Sequence, residues 1–548
     1  MSLTFSTTNR HVKSQKGTKL HLPVPKVNVG HLLYDELKKR NSNDIAFKSY
    51  LTNESNSVGE IFNNSLKLAQ ALTNLGLSSD DLIAIDAHNH VNYPIIVLAA
   101  LYTGIPLALM NPAYTAYELE NLFKIVEPKV VFCSKINLET LLTAKSKSDT
   151  IKKVVVIDEL KDKIENKDVT MLEKFLECSN TNFKIQQINT KEHIAFIMFS
   201  SGTTGLPKAV VTTHHNINAT LIAIQHPSMG TLPLDMKTVL GVLPFFHVFG
   251  FYQQLQAIQK SIPMIVMEHF NPLHYLQCIE KYKLWSLTAV PPLVNYLAKT
   301  PSIDEHDLSN LTDIVCGSAP IGEDILLLVK NRLKLNDVRI VYGTTESHMI
   351  IATTPPGSTN IKSVGKIGIA TTLCIRDVET GRNLPANHQG EICTKSEMMM
   401  KCYYKNETAT KEAFTEDGYL KSGDIGYYDE EGYIYIVDRL KEFIKCKGFQ
   451  VSPSELEAVL ITNKKIADVG VIGKPDESAG EVPIAFVVKV GGVNLSQEEV
   501  KEYLAGILSK HKQLYDVYFV DEIPRTPSGK IIRRELKRLL NKMTQSKL

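Results

Sequence analysis

Apolar runs of strand length alternate with segments of helical periodicity from Asn28 to about Val341. Ile61–Leu75 and Ala116–Ile125 carry the helical spacing. This alternation predicts α/β layers with substantially parallel sheets. The expected strands are Leu82–Ile85, Val130–Phe132, Lys153–Ile157, Ile194–Phe199, Val239–Leu243, Met264–Met267, Leu284–Ala289 and Asp313–Cys316.

The pattern changes after Val364 to short runs separated by turn signals such as Asp417-Gly418 and Glu431-Gly432, which predicts a smaller β-rich subdomain. A compact α/β pattern then follows the charged segment Asp438–Lys441. Its expected elements are two helices, Glu455–Leu460 and Glu498–Leu508, and three strands, Val469–Ile472, Ala485–Val490 and Val517–Val520.

The predicted fold class is therefore α/β, with a large N-terminal domain of layered α/β subdomains plus a β-rich subdomain, and a small C-terminal α+β domain. The predicted segments are a flexible tail at 1–29, the large domain at 30–437, a link at 438–441, the small domain at 442–545 and a terminal tripeptide at 546–548.

Composition narrows the function classes. The chain has 548 residues, of which 43% are hydrophobic and 22% are charged, as in an ordinary globular enzyme. A single core rarely grows past about 250–300 residues, so at least two domains are expected. The net charge of +2 gives no reason to expect a nucleic-acid partner. The eight cysteines form no C-x-x-C pair, so neither a zinc site nor a disulfide framework is predicted.

The chain termini carry two candidate targeting signals. The first thirty residues are basic and lack Asp and Glu, which fits either a transit peptide or a flexible tail; one arginine and no amphipathic face favour the tail. The apolar stretch Tyr93–Met110 is broken by Pro94, Gly104 and Pro106, so we expect a buried helix plus a strand and no membrane span. Ser546-Lys547-Leu548 matches the address read by the peroxisomal import receptor.

The segment most informative about chemistry is Ser200-Ser201-Gly202-Thr203-Thr204-Gly205-Leu206-Pro207-Lys208. Its glycines let the backbone approach an anion, its hydroxyls donate hydrogen bonds and its lysine supplies a positive charge, all of which suit a phosphate. A plain turn between two strands is the alternative. The strand pattern after Lys208 differs from the helix that follows a Walker P-loop, so a kinase or GTPase mechanism is not expected.

SSGTTGLPK resembles the phosphate loop of the adenylate-forming superfamily, which includes acyl-CoA synthetases, 4-coumarate–CoA ligases and beetle luciferases. The resemblance covers roughly residues 30 to 548. It continues in order through YGTTE at Tyr342–Glu346, SGD at Ser422–Asp424, DRLK at Asp438–Lys441, KGFQVSPSELE at Lys447–Glu457 and PSGK at Pro527–Lys530.

The resemblance implies an ATP site. Glu346 would hold Mg²⁺, Asp424 would accept hydrogen bonds from the ribose, and Lys530 would bridge the substrate carboxylate and the α-phosphate. Singly, Asp424 could instead be a turn cap, Arg439 half of a surface ion pair and Lys530 a solvated turn residue. The other implied nucleotide contacts are the loop residues Ser200, Ser201, Gly202, Thr203, Thr204 and Lys208, the segment Gly317, Ser318 and Ala319, and Tyr342, Gly343, Thr345, Arg439, Lys441 and Gln450.

The resemblance also implies a second half-reaction, for which the mobile small domain turns about the hinge at 438–441. Lys445 would then face the acyl-adenylate, and Lys447 and Gly448 would line the channel for coenzyme A. His247 would lie where the acyl group and the thiol meet. The implied acyl pocket consists of His247, Phe249, Phe251, Gln253, Met349 and Ile350.

The pocket positions separate the alternatives within the superfamily. In luciferases an arginine stands where this chain has Thr220, and small or polar residues stand at Met349 and Ile350. Bulky apolar groups favour an aliphatic tail, so we expect a medium- to long-chain fatty acyl-CoA ligase using ATP, Mg²⁺ and coenzyme A. A luciferase, an aromatic-acid ligase, a non-catalytic nucleotide-binding protein and a domain that loads a carrier protein are the alternatives.

Overall fold

A computed structural model of the protein describes residues 15–16, 23–159, 166–177, 183–200, 207–226, 229, 236–440, 442–446, 449–476, 479–508, 512–527 and 529–545. The helices are α1 Val29–Lys38, α2 Val58–Asn74, α3 Tyr93–Thr103, α4 Ala116–Val126, α5 Leu138–Lys145, α6 Leu172–Glu177, α7 His214–Ala223, α8 Val248–Gln259, α9 Pro272–Lys281, α10 Pro291–Lys299, α11 Glu323–Leu333, α12 Glu407–Ala413, α13 Pro453–Leu460, α14 Gln497–Ala505 and α15 Arg533–Gln545, with 3₁₀ turns at Lys135–Asn137 and Pro301–Glu305.

The strands follow the same chain order. They are β1 Gln15–Lys16, β2 Ile45–Ser49, β3 Ser55–Ser57, β4 Ile83–Asp86, β5 Leu107–Leu109, β6 Val130–Cys133, β7 Lys153–Val156, β8 Val169–Met171, β9 Ile194–Ser200, β10 Lys208–Thr213, β11 Val239–Gly241, β12 Met264–Val266, β13 Ser286–Ala289, β14 Asp313–Gly317, β15 Asp337–Tyr342, β16 Ala352–Thr353, β17 Lys366–Ile367, β18 Thr371–Arg376, β19 Asn383–Leu384, β20 Gly390–Ser396, β21 Cys402–Tyr403, β22 Leu420–Tyr428, β23 Ile434–Arg439, β24 Ile444–Cys446, β25 Phe449–Val451, β26 Ile466–Asp476, β27 Gly480–Lys489 and β28 Asp516–Phe519.

Sheets I and II are mainly parallel and sheet III is parallel from β13 to β15, which confirms the predicted α/β layers. Sheet I has the order β21-β10-β9-β5-β4-β6-β7-β8 and is parallel from β9 to β8. Sheet II has the order β11-β12-β2-β3, and sheet III has the order β13-β14-β15-β16-β17. Strands β5, β6 and β12 are buried along their whole length and are continuous apolar runs, as is typical of parallel strands between helices.

The remaining sheets confirm the predicted β-rich subdomain and the predicted small C-terminal domain. Sheet IV, β1-β18-β20-β22-β23 with β19 beside β18, is antiparallel throughout and forms the β-rich subdomain. Sheet V, β25-β24-β27-β26 with β28 beside β27, belongs to the small C-terminal domain. Helices α13, α14 and α15 accompany sheet V and bury apolar residues such as Leu456, Val500 and Leu536.

Helix α3 lies in the centre of the main core. Each of its residues is buried, because the helix packs against α1 and α2 and carries no charged side chain. Gly104 ends it in the left-handed conformation, at a φ of 70°, and β5 follows. The stretch Tyr93–Met110 is thus a buried helix and a strand, and none of the described helices is long and apolar enough to cross a membrane.

Part of the predicted tail at 1–29 belongs to the fold. Gln15–Lys16 pairs with β18, and Asn28 is buried. The Asn28 side chain accepts a hydrogen bond from Gly30 N at 2.7 Å and donates one to Leu101 O at 2.8 Å. Helix α1 begins at Val29 because this side chain caps it.

Hydrogen bonds and packing contacts between described residues join the two domains. Asp438, at the end of β23, accepts hydrogen bonds from the Ser452 hydroxyl and from Ser454 N, at the start of α13. Lys299 Nζ donates to Ile461 O at 3.2 Å. Gly529 lies against Pro292 of α10, where an added Cβ would be 2.9 Å from the proline ring. These contacts place the small domain over the carboxyl end of sheet III.

Candidate active site

The predicted phosphate loop joins the antiparallel strands β9 and β10. Ser200 and Lys208 are register partners at its two ends, so the loop is a hairpin connection as the sequence indicated. Ser201, Gly202, Thr203 and Thr204 lie outside the described residues. Lys208 Nζ lies 4.8 Å from the centre of the Tyr403 ring, in the geometry of a cation–π contact.

Glu346 contacts the same tyrosine as Lys208. The Tyr403 hydroxyl donates a hydrogen bond of 2.9 Å to Glu346 Oε1, and Met400 N donates one of 2.7 Å to the Glu346 backbone oxygen. Burial, followed by the charge of Glu346, raises the pKa of Tyr403, so its hydroxyl remains a donor. The predicted phosphate lysine and the predicted magnesium ligand therefore share one aromatic partner.

Asp424 forms a second cluster with Tyr342 and Arg439. The Tyr342 hydroxyl donates to Asp424 Oδ2 at 2.7 Å, and Arg439 Nε lies 3.0 Å from Asp424 Oδ1. Asp424 and Arg439 are register partners in β22 and β23, and Asp424 is only 4% exposed. The ion pair considered for Arg439 thus exists, but it is buried at its Asp424 end and includes the predicted ribose ligand. Asp424 keeps further acceptor capacity because each carboxylate oxygen has two lone pairs.

Lys530 enters the cleft from the small domain. It follows a turn in which Gly529 has a φ of 84°, and its N–H donates to Thr526 Oγ1 at 3.1 Å. Burial, followed by the positive charge of Arg439, lowers the pKa of Lys530 to about 8, although Asp424 and Glu346 act in the opposite direction. A lysine with this pKa is the kind of perturbed group that collects at active sites.

The cleft that Lys530 lines has about 360 Å³ of empty space, part of it open to solvent. His247 caps α8 through Nδ1, which accepts from Phe249 N at 3.4 Å. Burial, followed by the charge of Lys530, lowers the pKa of His247 to about 3, so the imidazole is neutral at pH 7. The other lining residues are Val248, Phe249, Gly317, Ser318, Val341, Gly343, Thr344, Thr345 and Met349.

Two glycines let the strand ends of sheet III come close to this cleft. A Cβ on Gly343 would lie 1.9 Å from Met349 O, and a Cβ on Gly317 would lie 2.9 Å from Val341 O and 3.2 Å from the Phe249 ring. At each position the nearest backbone oxygen would lie closer to the added Cβ than a van der Waals contact permits, so only glycine fits without a shift of the backbone. Ala319 follows Ser318 on the same loop, and Ser318 has a φ of 78°.

The implied acyl pocket divides into two groups. His247, Phe249 and Met349 line the cleft, whereas Phe251, Gln253 and Ile350 are buried and are not among its lining residues. The Phe251 ring packs 4.6 Å from the Phe196 ring. The assignment of these three residues to the acyl pocket stays a prediction.

The residues predicted for the second half-reaction are only partly described. Lys445 and Gln450 are register partners in β24 and β25, and the structure describes their backbone alone. Lys441, Lys447 and Gly448 lie outside the described residues, as does Ser546-Lys547-Leu548. Tyr403 and Met400 are the contacts that sequence reasoning missed; the CYYK run has no strong pattern, and only the pairing of β21 with β10 shows its place.

Comparison with known proteins agrees with this geometry. The chain is 38% identical over 505 residues to the luciferin 4-monooxygenase of Nipponoluciola cruciata, with 91% of this chain and 92% of that protein covered. It is 32% identical to 4-coumarate–CoA ligase 1 of Petroselinum crispum, with 86% and 87% covered. The crystal structure of ATP-bound MatB from Rhodopseudomonas palustris superposes with a TM-score of 0.81 at 25% identity, covering 92% of this chain and 98% of that one.

Family profiles match both domains. The profile described as AMP-binding enzyme matches residues 35–404, and the profile described as AMP-binding enzyme C-terminal domain matches residues 455–530. The first match alone covers more than half of the chain, and the predicted motifs fall within or between the two. The chain belongs to the AMP-binding enzyme family and is an AMP-forming ligase of the adenylate-forming superfamily.

Proposed function

We propose that the protein is an ATP-dependent acyl-CoA ligase that acts on medium- to long-chain fatty acids. In the first half-reaction a carboxylate oxygen attacks the α-phosphate of ATP, which gives acyl-AMP and releases pyrophosphate. In the second, the thiol of coenzyme A attacks the acyl carbon and releases AMP. The observation that carries the proposal is that Lys530 of the small domain lies in one cleft with His247, near Asp424 and Glu346 of the large domain.

The first step needs positive charge because a carboxylate anion approaches a polyphosphate anion. Lys530 carries a charge at neutral pH and stands at the mouth of the acyl cleft, where it can contact the carboxylate and the α-phosphate together. Lys208, whose ammonium lies over the Tyr403 ring, would contact the outer phosphates. Neutral His247 adds no positive charge to that of Lys530 and would border the position of the acyl carbon.

We assign the magnesium site to Glu346. Its Oε1 is held by Tyr403, and no described residue donates a hydrogen bond to its Oε2, so one oxygen is free for a metal. Mg²⁺ bound with ATP takes one or two carboxylates and completes its shell with phosphate oxygens and water. The described residues contain no cluster of three or more His, Cys, Asp and Glu side chains placed to hold a metal, and a phosphate-borne ion requires none. The metal would neutralise charge on the departing pyrophosphate.

The second half-reaction is assigned to the opposite face of the small domain. Lys445 would then approach the acyl-adenylate, Lys447 and Gly448 would border the thiol channel, and Lys441 would lie in the turning segment. This assignment follows from the family motifs at those positions.

The fatty-acid assignment is supported by two apolar side chains in a cleft that also has polar lining residues such as Thr344 and Lys530. Phe249 and Met349 present apolar surface beside Gly317. Thr220, at the position of the luciferase arginine, is buried and donates its hydroxyl to Asn216 O at 2.8 Å, so it offers no cation for a phenolic substrate. Luciferin and 4-coumarate, which the names of relatives mention, are the alternatives.

A substrate panel tests the proposal. We expect carboxylate-dependent ATP–pyrophosphate exchange with fatty acids of medium and long chain, followed by acyl-CoA formation when coenzyme A is added. Equal or faster exchange with cinnamates would favour the aromatic-acid ligase, and light emission with luciferin and O₂ would favour a luciferase. No exchange with any acid would refute the ligase assignment.

We further propose import into the peroxisome through Ser546-Lys547-Leu548. When a fluorescent protein is fused to the N terminus of the full chain, the fluorescence should appear in peroxisomes. Deletion of the last three residues should leave the fluorescence diffuse, and a punctate signal in the deletion variant would refute the proposal.

A further inference from the structure

Tyr403 is a buried aromatic residue on the edge of sheet I. It pairs with Val210 of β10, two residues from Lys208 on the same strand, and is 8% exposed. Its N–H donates to Thr410 Oγ1 of α12 at 2.9 Å. Strand pairing on one side and the helix on the other therefore fix the position of the ring.

The side chain makes two different contacts with opposite charges. The face of the ring receives the Lys208 ammonium at 4.8 Å, and the hydroxyl reaches Glu346 Oε1 at 2.9 Å. A ring face attracts cations because of its quadrupole, and a hydroxyl at hydrogen-bonding distance orients a carboxylate. One rigid side chain thus sets the spacing between the lysine and the acid.

A packing role alone does not account for the hydroxyl. The ring belongs to a small apolar cluster with Val210, Met400, Ala409 and Leu420, which phenylalanine would fill equally well. The hydroxyl instead ends on a carboxylate at the cleft, and the Met400 N–H holds the backbone of the same glutamate. The segment 400–403 therefore fixes Glu346 at two points.

We propose that Tyr403 is a positioning residue for magnesium-bound ATP. Its hydroxyl orients Glu346, and its ring places Lys208. This inference rests on the proposed function, because it takes Glu346 as the magnesium ligand and Lys208 as a phosphate contact. Removal of a partner that orients a metal ligand typically lowers metal affinity by about 10–100-fold.

Two substitutions separate the two contacts. Tyr403→Phe keeps the ring beneath Lys208 and removes only the hydrogen bond to Glu346. Tyr403→Leu removes both contacts. Tyr404→Phe is the matched control. Tyr404 is the next residue and packs beside Lys405, so this substitution removes a tyrosine hydroxyl that has no contact with Glu346 among the described residues.

Calorimetric titration with a non-hydrolysable ATP analogue, with and without Mg²⁺, gives a readout that does not depend on turnover. Tyr403→Phe should raise the dissociation constant of the magnesium complex about tenfold and leave that of the metal-free analogue unchanged. Tyr403→Leu should weaken both complexes. Saturating Mg²⁺ should restore pyrophosphate exchange to Tyr403→Phe, as expected of a positioning defect.

The outcomes distinguish this inference from the proposed function. If the wild-type protein binds no analogue and exchanges no pyrophosphate, the proposed function fails first. If the wild type does both and Tyr403→Phe shows the same magnesium dependence as Tyr404→Phe, the inference about Tyr403 is refuted. Thermal unfolding of Tyr403→Phe should match that of the wild type, so a shifted magnesium titration does not arise from loss of fold.

Discussion

The pKa of Lys530 predicts an alkaline limit to the first half-reaction. A lysine is charged below its pKa and neutral above it, and only the charged form offsets the negative charge of the carboxylate and the α-phosphate. With a pKa of about 8, about nine-tenths of the molecules carry the charge at pH 7 and about one-tenth do at pH 9. We therefore expect kcat/KM for adenylation to fall about tenfold between pH 7 and pH 9.

The assay is carboxylate-dependent ATP–pyrophosphate exchange, measured from pH 6 to pH 10 at limiting ATP. The kcat/KM profile reports the pKa values of groups in the free enzyme. It therefore reports the pKa of Lys530 that burial and Arg439 lower. Bound ATP is negative and raises the pKa of Lys530, so the profile of kcat should fall at higher pH than that of kcat/KM.

Two variants locate the titrating group. Lys530→Ala should lower exchange about 10²–10³-fold at neutral pH, as removal of one donor to a developing charge does. Lys530→Arg keeps a charge that does not titrate in this range, so its residual activity should be independent of pH above 8. An alkaline limb that Lys530→Arg shares with the wild type would refute the role of Lys530 as the charge that limits the profile.

Further predictions follow from other contacts. Gly343→Ala should destabilise the fold by about 3 kcal/mol in chemical denaturation, because its Cβ would lie 1.9 Å from Met349 O, whereas Gly491→Ala, with no atom within 4 Å, should change stability by less than about 1 kcal/mol. Asn89→Ala should lower the unfolding free energy by about 2 kcal/mol or more, because the Asn89 amide donates to Leu243 O at 2.9 Å and accepts from Phe245 N at 2.8 Å in the buried segment before α8. Arg439→Gln should move the alkaline limb of pyrophosphate exchange to higher pH, because it removes a cation that lowers the pKa of Lys530; a limb at unchanged pH would contradict this.

Local patterns account for most of what the sequence predicts correctly. The apolar run before Ser200 and the strand character after Lys208 predict a hairpin, and the period of Ile61–Leu75 predicts α2. Such signals depend on neighbouring residues only. The predicted boundary of the tail at residue 29 depends on local signals, which do not reveal the long-range hydrogen bond from Asn28 to Leu101.

The candidate site shows the same division. The family resemblance indicates Glu346, Asp424 and Lys530. Lys530 lines the cleft, Asp424 and Glu346 lie close enough to affect its pKa, and the roles of all three stay predictions. Tyr403 was missed because its position arises from a two-residue strand pairing with β10, far away in the chain. Phe251 packs against Phe196 in the buried core, and its assignment to the acyl pocket stays a prediction.

Asp438 has a consequence for the timing of the two chemical steps. Its carboxylate is 3% exposed and holds Ser452 and Ser454 at the positive end of α13, and hydrogen bonds to a charged group are worth about 1.5–3 kcal/mol each. If the small domain rotates about 438–441, as the family resemblance implies, these hydrogen bonds would have to break before coenzyme A could reach the adenylate. The hydrogen bonds of Asp438 would then favour the domain arrangement of this structure over the rotated one.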